Sequence, residues 1–280
     1  MDTLELTIDL TPIDPWSDIV IAELSELGFD SFVTTKTGIQ AYAEAGVNVQ
    51  KIIEQTSLMD NPEVKYGLSQ VVIPQQNWNA QWEKSFEPVH VDDKVSILAP
   101  FHNEDDVQGM KVVIQPQMSF GTGHHQTTWL MSKVLFDLPQ LPNRILDMGT
   151  GTGVLAIICE KLGAEDILAV DIEDWSAENA ILNAGLNDCS KIEVVCGDID
   201  VVTQGDFGLI IANINKNILK AHMKRYSELL VQDGVLLLSG FFHSDVDEMT
   251  EFTRQFGFKL ERFETREEWA VMQLTKQTKI

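Results

Sequence analysis

Three glycines between two aspartates are the part of this 280-residue chain best suited to bind a ligand. Asp147 ends one apolar stretch, Gly149, Gly151 and Gly153 follow at alternate positions, and Asp171 ends the next apolar stretch. Glycines accept unusual backbone angles and let a ligand approach the main chain. An acid at the second strand end lies where a nucleotide-binding βαβ unit holds a ribose diol. The pattern predicts a nucleotide-binding turn; the alternative is a tight crossover without a ligand.

A second glycine-containing loop, FGTGHHQTT at residues 120–128, precedes a helical pattern. Such a loop can bind an anion or a nucleotide through its free amides. The adjacent His124 and His125 cannot share one helix face, and the sequence has no further His/Cys cluster to complete a zinc site. We therefore predict no metal site. Thr122 is expected to cap the helix, and the histidines to form a polar surface.

The elements that must position these loops alternate between short apolar stretches and helical patterns. Strands are predicted at 145–147, 167–170, 192–195, 207–212, 235–239, 258–263 and 269–274. Such alternation implies an α/β fold, a doubly wound, mostly parallel sheet with helices on both faces. The last two strands are only a few residues apart, so we expect them to pair as an antiparallel hairpin at the sheet edge.

The N-terminal part has a different pattern. Thr3–Leu10 alternates apolar and polar residues as a half-buried strand does, and the pattern that follows predicts the order βαββαβ. This order indicates a small α+β ferredoxin-like domain, a fold that often recognises partners, and it has no catalytic constellation. We predict this domain at residues 1–75, an interdomain helix or linker at 76–90 and a second domain at 91–280.

The interdomain segment has three aromatic residues with helical spacing. Trp78, Trp82 and Phe86 recur every four residues before Pro88, which favours one aromatic helix face. We expect this face to pack between the domains, with an exposed recognition site as the alternative.

Composition restricts the class of protein and of partner. The formal net charge is −23, which weighs against a substrate held through nucleic-acid phosphates and is compatible with a basic protein partner. No apolar stretch approaches the roughly 20 residues that span a bilayer, and the N-terminus lacks an export pattern. The three cysteines form no CxxC pair. We therefore expect a cytoplasmic protein without a membrane segment.

The glycine spacing bears on the nucleotide. NAD and S-adenosylmethionine both present an adenosine ribose, so both fit a glycine turn followed by an acid. The dinucleotide fingerprint GxGxxG would place its third glycine at Val154, whereas this chain reads GxGxG. No GxxxxGK[ST] pattern supports ATP or GTP hydrolysis. The spacing favours S-adenosylmethionine.

The order of these motifs resembles class I S-adenosylmethionine-dependent methyltransferases, which implies their seven-stranded sheet. More narrowly, the chain from Trp78 onward resembles the ribosomal protein L11 methyltransferase family. The resemblance is carried by FGTGHHQTT, WxxxWxxxFxP at 78–88, ILDMGTGTGVLAI, AVDI, ANI and the closing EEW.

This resemblance implies a set of residues that bind S-adenosylmethionine. Asp171 would take the ribose hydroxyls, Asp198 would lie near the adenine, and Asn213 would lie beside both the methionine part and the acceptor nitrogen. Asn213 is also the implied catalytic residue; the alternative is an asparagine that only caps the following helix. The full implied set is Phe120, Thr128, Gly149, Gly151, Asp171 and Asn213.

The resemblance also implies a substrate. Members of the family methylate lysine side chains and the terminal amine of a large-subunit ribosomal protein, the eleventh, which the N-terminal domain recognises. The chain departs from the family pattern at Gln115, Gln117, Ser119, Asn215 and Lys216, changes that bear on loop shape and on the lining of the acceptor site. The alternatives are a methyltransferase for another protein or for RNA, a nicotinamide-dependent oxidoreductase and a binding protein without activity.

Overall fold

The computed structural model describes residues 2–59, 61–74, 78–103, 105, 107–117 and 119–277, and for 78–81 it describes the backbone alone. Contacts divide the chain into two compact units, Met1–Ser85 and Phe86–Ile280. The division falls between the two predicted boundaries at 75 and 90. Residues 75–77 of the predicted linker lie outside the described residues.

The first unit contains the βαββαβ order expected from the sequence. Its elements are β1 (Thr3–Thr11), α1 (Trp16–Glu26), β2 (Ser31–Thr34), β3 (Gly38–Glu44), α2 (Val49–Ile53) and β4 (Lys65–Ile73). The sheet order is β2-β3-β1-β4 with every neighbouring pair antiparallel, the ferredoxin-like arrangement. Alternate residues of β1, Leu6 and Ile8 among them, are fully buried against α1. The polar–apolar alternation therefore did identify the core face.

The aromatic stripe of the interdomain segment is shorter than predicted. Helix α3 covers Trp78–Ser85, so Phe86 lies beyond its end and in the second unit. There the ring of Phe86 contacts His124, with the ring centroids 4.4 Å apart. Trp82 is 45% exposed. The prediction of three aromatics on one helix face is wrong for Phe86, because the helix ends one residue too early.

The second unit begins with a small sheet and one helix. Strands β5 (Val89–Val91), β6 (Val95–Leu98) and β7 (Met110–Val113) form a three-stranded sheet in that order, and α4 covers Gln126–Asp137. β5 is antiparallel to β6, whereas β6 and β7 are parallel.

The rest of this unit is the predicted seven-stranded sheet. Its elements are β8 (Arg144–Met148), α5 (Val154–Lys161), β9 (Asp166–Asp171), α6 (Asp174–Leu186), β10 (Ile192–Cys196), β11 (Phe207–Asn213), α7 (Lys216–Leu229), β12 (Leu230–Phe242), α8 (Val246–Arg254), β13 (Phe258–Arg266) and β14 (Trp269–Lys276). The order is β10-β9-β8-β11-β12-β14-β13. The first five are parallel, and β14 is antiparallel to both of its neighbours, which confirms the predicted edge hairpin.

The central strands separate two apolar cores. Along β8, Ile145 belongs to the core that includes α4 and α5, and Leu146 to the core that includes α7 and α8. Burial on both faces explains why these strands read as continuous apolar stretches. The chain runs outward from β8 to β10 and then crosses to β11 on the other side of β8. Ligands of such sheets bind at this reversal, beyond the carboxyl ends of the strands.

Candidate active site

A cavity of about 570 Å³ opens at this reversal. It is lined by the last residues of three neighbouring strands, Met148 of β8, Asp171 of β9 and Asn213 of β11. The parallel arrangement alone brings these residues together, because the carboxyl ends of parallel strands meet at one edge of the sheet. The cavity includes five of the six predicted cofactor residues: Phe120, Gly149, Gly151, Asp171 and Asn213.

The glycine turn after β8 is attached to β9 by its backbone. The amides of Gly149 and Thr150 both donate to the carbonyl of Val170, at 2.8 and 3.0 Å. Gly149 and Gly151 have positive φ angles of 77° and 55°. A Cβ on Gly149 would lie 2.1 Å from the Cγ2 atom of Ile214. Glycine is therefore required here by contacts within the protein, besides any approach of a ligand.

The FGTG loop packs directly onto this turn. The amide of Thr152 donates to the carbonyl of Phe120 at 2.9 Å, and its hydroxyl donates to the carbonyl of Gly121 at 2.8 Å. A Cβ on Gly151 would lie 2.1 Å from the carbonyl oxygen of Phe120. The two glycine loops thus form one wall, which holds the 51% exposed Phe120 at the cavity.

The start of α4 differs from the prediction. His125 is the N-cap, and its Nδ1 accepts from the amide of Thr127 at 3.2 Å. Thr122 instead contacts His124, whose Nε2 is 3.0 Å from the carbonyl of Glu87. The prediction that Thr122 caps the helix is wrong, because the helix begins three residues later than that cap requires.

His125 lines the cavity, whereas the sequence predicts only a polar surface for the two histidines. Its ring lines the cavity and packs against Phe120 and Trp269, with centroids 5.0 and 4.7 Å away. Burial lowers the pKa of His125, although the charge of Glu267 opposes the shift. The side chain is therefore a neutral, largely apolar part of the wall.

Thr128 lies apart from the other predicted residues. It is fully buried, and Thr127 rather than Thr128 lines the cavity. The Thr128 hydroxyl has no hydrogen-bond partner among the described residues.

The two aspartates of the glycine motif have different surroundings. Asp171 is 9% exposed and lines the cavity; its Oδ2 accepts from the amide of Gly151 at 2.8 Å and its Oδ1 from the amide of Glu173 at 3.1 Å. Asp147 lies beneath the turn, where its Oδ2 accepts from the hydroxyl of Thr150 at 2.7 Å. Burial raises the pKa of Asp147 to about 7. Asp171 lines the cavity, whereas Asp147 supports the turn.

Asn213 has no capping role. Helix α7 is capped by Asn215, whose Oδ1 accepts from the amide of Asn217 at 2.9 Å. The Oδ1 of Asn213 is buried and has no hydrogen-bond partner in the described part of the chain. Native proteins rarely leave such an acceptor unsatisfied, and Asn213 lines the cavity, so this oxygen is a candidate contact for a bound polar group.

The sequence did not single out His222 and Trp269 as site residues, although both line the cavity. His222 follows the cavity-lining Ile218 by four residues on α7, a spacing that could have indicated a shared face. Trp269 was recognised only as part of the final strand and the EEW motif. The return of β14 beside β12 brings it to the cavity.

Other kinds of site find no support in the described residues. They contain no group of three or more His, Cys, Asp or Glu side chains arranged to hold a metal ion. Nor does any helix among them have the length and apolar character needed to cross a membrane.

Comparisons with known proteins agree with the geometry. Residues 18–277 match the family described as "Ribosomal protein L11 methyltransferase (PrmA)". A ribosomal protein L11 methyltransferase of Porphyromonas gingivalis is 42% identical over 264 residues, which cover 92% of this chain and 90% of that protein. One of Bacteroides thetaiotaomicron is 34% identical over 279 residues, covering 98% and 100%.

A solved structure shows the same likeness. The ribosomal protein L11 methylase from Lactobacillus delbrueckii subsp. bulgaricus superimposes with a TM-score of 0.63 at 26% identity, covering 69% of this chain and 100% of that one. A nicotinamide-dependent oxidoreductase is thereby excluded as the alternative. This chain belongs to the ribosomal protein L11 methyltransferase family, a family of S-adenosylmethionine-dependent protein methyltransferases.

Proposed function

We propose that this protein transfers methyl groups from S-adenosylmethionine to lysine side-chain and N-terminal amines of ribosomal protein L11. The single observation that carries the proposal concerns Asn213, a residue that lines the cavity and whose buried Oδ1 has no hydrogen-bond partner among the described residues. An incoming amine has N–H groups that can donate a hydrogen bond to this oxygen.

The residues present fit the cofactor. The Asp171 carboxylate accepts one backbone hydrogen bond on each oxygen, which leaves lone pairs for a ribose diol. Gly149 and Gly151 keep the neighbouring wall free of side chains, and Phe120 adds an exposed aromatic surface. Thr128 stays in the proposed set because its buried hydroxyl has no partner in the described part of the chain. When bound, S-adenosylmethionine supplies a methyl group activated by its sulfonium charge.

The protein's contribution to the transfer is alignment and exclusion of water. The acceptor amine must be neutral, whereas a free lysine has a pKa of about 10.4. A cavity walled by Phe120, Ile214 and Trp269 desolvates the amine and lowers its pKa. Asn213 then accepts a hydrogen bond from the neutral amine through Oδ1 and directs its lone pair. No covalent nucleophile is required.

The charge of the protein fits the partner. The net charge of −23 suits a basic ribosomal protein and disfavours direct contact with nucleic acid. We assign substrate recognition to residues 1–75, the interdomain helix or linker to 76–90 and methyl transfer to 91–280. A ribosomal-protein substrate places the activity in the cytoplasm.

A labelling experiment tests the proposal. The purified protein is incubated with methyl-labelled S-adenosylmethionine and recombinant ribosomal protein L11, and the labelled residues are located by mass spectrometry of peptides. Label on lysine side chains and on the N-terminal amine is the expected result. A parallel incubation with ribosomal RNA and other ribosomal proteins is the control. Label on RNA, or on a different protein alone, would contradict the proposed substrate.

A further inference from the structure

A chain of three polar side chains reaches the cavity from α7. His222 lines the cavity and is only 8% exposed. Its Nε2 lies 3.1 Å from Oδ1 of Asp198, which follows β10, and its Nδ1 lies 3.3 Å from the hydroxyl of Tyr226. Tyr226 is fully buried. The order from the core to the cavity is therefore Tyr226, His222, Asp198.

The direction of these hydrogen bonds follows from the groups involved. An ionised carboxylate only accepts, so Nε2 of His222 carries the proton donated to Asp198. In the neutral ring Nδ1 is then an acceptor, and the Tyr226 hydroxyl is its donor. Burial raises the pKa of Tyr226, and the charge of Asp198 raises it further, so the hydroxyl keeps its proton. Hydrogen bonds at both ring nitrogens thus hold the ring of His222 in one orientation.

This arrangement leaves one oxygen of Asp198 available. Oδ1 accepts from the amide of Ile199 at 2.6 Å as well as from His222. Oδ2 has no hydrogen bond among the described residues, and the side chain, which lines the cavity, is 54% exposed. Two donors on one oxygen fix the plane of the carboxylate while the second oxygen stays accessible.

The position of Asp198 indicates which part of a nucleoside it meets. Asp171 ends β9, and Asp198 follows the neighbouring β10, about 4.8 Å further along the sheet. On the opposite side of β9 the glycine turn occupies the sheet edge. The same cavity is lined by the apolar side chains of Ile172 and Ile218, 66% and 46% exposed, which suit the faces of a flat base.

We propose that His222, held by Tyr226, is a positioning residue that orients the Asp198 carboxylate to accept the 6-amino group of the cofactor's adenine. His222 and Asp198 together thereby determine which base the site accepts. This inference rests on the proposed function, because it requires that the cavity binds S-adenosylmethionine. It assigns selectivity for the adenine base to residues of α7, the helix that follows β11.

Binding measurements with two ligands test it. S-adenosylhomocysteine and its analogue with hydrogen in place of the 6-amino group are titrated calorimetrically into the full chain. The wild type should bind the amino compound about tenfold or more tightly, as expected for a hydrogen bond to a charged group. His222→Leu should weaken binding of S-adenosylhomocysteine much more than binding of the analogue, so that the ratio falls toward one.

Two further variants separate positioning from packing. His222→Gln keeps an N–H near the position of Nε2 and should restore most of the ratio. Tyr226→Phe removes only the hydroxyl that orients the ring and should give an intermediate ratio. Asp171→Asn is the control, since it should weaken both ligands equally and leave the ratio unchanged. Circular dichroism checks that each variant is folded.

Other outcomes would overturn the inference. Equal weakening of both ligands by His222→Leu would mean that His222 only packs. Equal affinity of the wild type for both ligands would mean that Asp198 does not take the amino group. Absence of binding of either ligand to the wild type would overturn the proposed function itself, and this inference with it.

Discussion

The two sides of the cavity are built differently. On the side of β8 and β9 the backbone amides of the glycine turn already have partners within the protein: the amide of Gly151 donates to Asp171, and the amide of Thr152 donates to the carbonyl of Phe120. On the side of β11 the Oδ1 of Asn213 is buried without a partner in the described residues. The first side holds its shape by itself, whereas the second leaves an acceptor for a bound molecule.

The two sides of the cavity suit two different tasks, binding of the cofactor and action on the acceptor amine. A ligand that binds in one fixed pose is best served by groups already held in place, because little order is lost on binding. A group that acts on an incoming amine must have a free lone pair when the amine arrives. We therefore expect changes on the β8–β9 side to reduce cofactor affinity and a change at Asn213 to reduce turnover.

The largest effect should come from Gly151→Ala. The φ angle of 55° strains an alanine, and its Cβ would lie 2.1 Å from the carbonyl oxygen of Phe120. Strain of about 1–3 kcal/mol together with the clash should separate the two loops and lower cofactor affinity on the order of 100-fold. Isothermal titration with S-adenosylhomocysteine measures the loss.

Gly163→Ala is the matched control for this change. Gly163 also has a positive φ, 105°, but nothing lies within 4 Å of a Cβ added there. It should lower stability by a similar backbone strain and leave affinity unchanged. Similar affinities for the two alanine variants would contradict the importance of the contact between the loops.

Asp171→Ala should have the next largest effect. Loss of hydrogen bonds to a charged group, worth roughly 1.5–3 kcal/mol, predicts a decrease in cofactor affinity of about 10- to 100-fold with the fold intact. Asp166→Ala is the control, because Asp166 begins the same strand and pairs with Arg144 at 2.6 Å outside the cavity. Unchanged affinity in the Asp171 variant would undo its assignment to the ribose.

Asn213→Ala should distinguish the two sides of the cavity most clearly, because it should reduce turnover rather than cofactor affinity. With saturating cofactor we expect turnover to fall about tenfold, the effect of losing one orienting hydrogen bond. Stability should change little through Oδ1, since this atom makes no hydrogen bond with the described residues of the folded protein. Asn215→Ala, in contrast, removes the α7 cap and should cost about 1 kcal/mol in the free energy of unfolding. Normal turnover of the Asn213 variant in the methylation assay would refute its role.

The last prediction concerns stability rather than cofactor binding or turnover, and it is a pH dependence from Asp147. Burial raises its pKa from 3.8 to about 7, so between these values the folded protein keeps a proton that the unfolded chain releases. Its contribution to stability is therefore full below pH 4 and is lost as pH rises through 7, by at most about 1.4 kcal/mol per unit.

The measurement is urea denaturation at several pH values. Asp147→Asn removes the titrating group, so the variant should gain stability relative to the wild type as pH rises from about 4 to about 7. Parallel pH profiles for the two proteins would show that Asp147 does not titrate in this range.

Most of the fold was predictable because its signals are local. The apolar stretch before Gly149 and the one before Asp171 indicated buried parallel strands, and the short interval between β13 and β14 required an antiparallel hairpin. The errors are local too. Phe86 lies outside α3, and His125 rather than Thr122 caps α4, because neighbouring structure, not helical spacing alone, decides where a helix begins or ends.

The site was less predictable. Gly151 and Asp171 could be found because a glycine turn and an acid at a strand end are constrained by backbone geometry. His222 could not be assigned, since its partner Asp198 is distant in sequence and reaches it only through the crossing from β10 to β11. The placement of Thr127 rather than Thr128 on the cavity also depends on where α4 begins.

Local sequence patterns were enough to predict the order of strands and helices, the glycine turn and the acid at its far end, because these features depend on contacts between near neighbours in the chain. The tertiary fold was needed to see that a Cβ on Gly151 would meet the carbonyl of Phe120, that Asp147 supports the turn while Asp171 lines the cavity, and that Asn213 Oδ1 has no hydrogen-bond partner among the described residues. Each of these depends on which distant segments the sheet brings together.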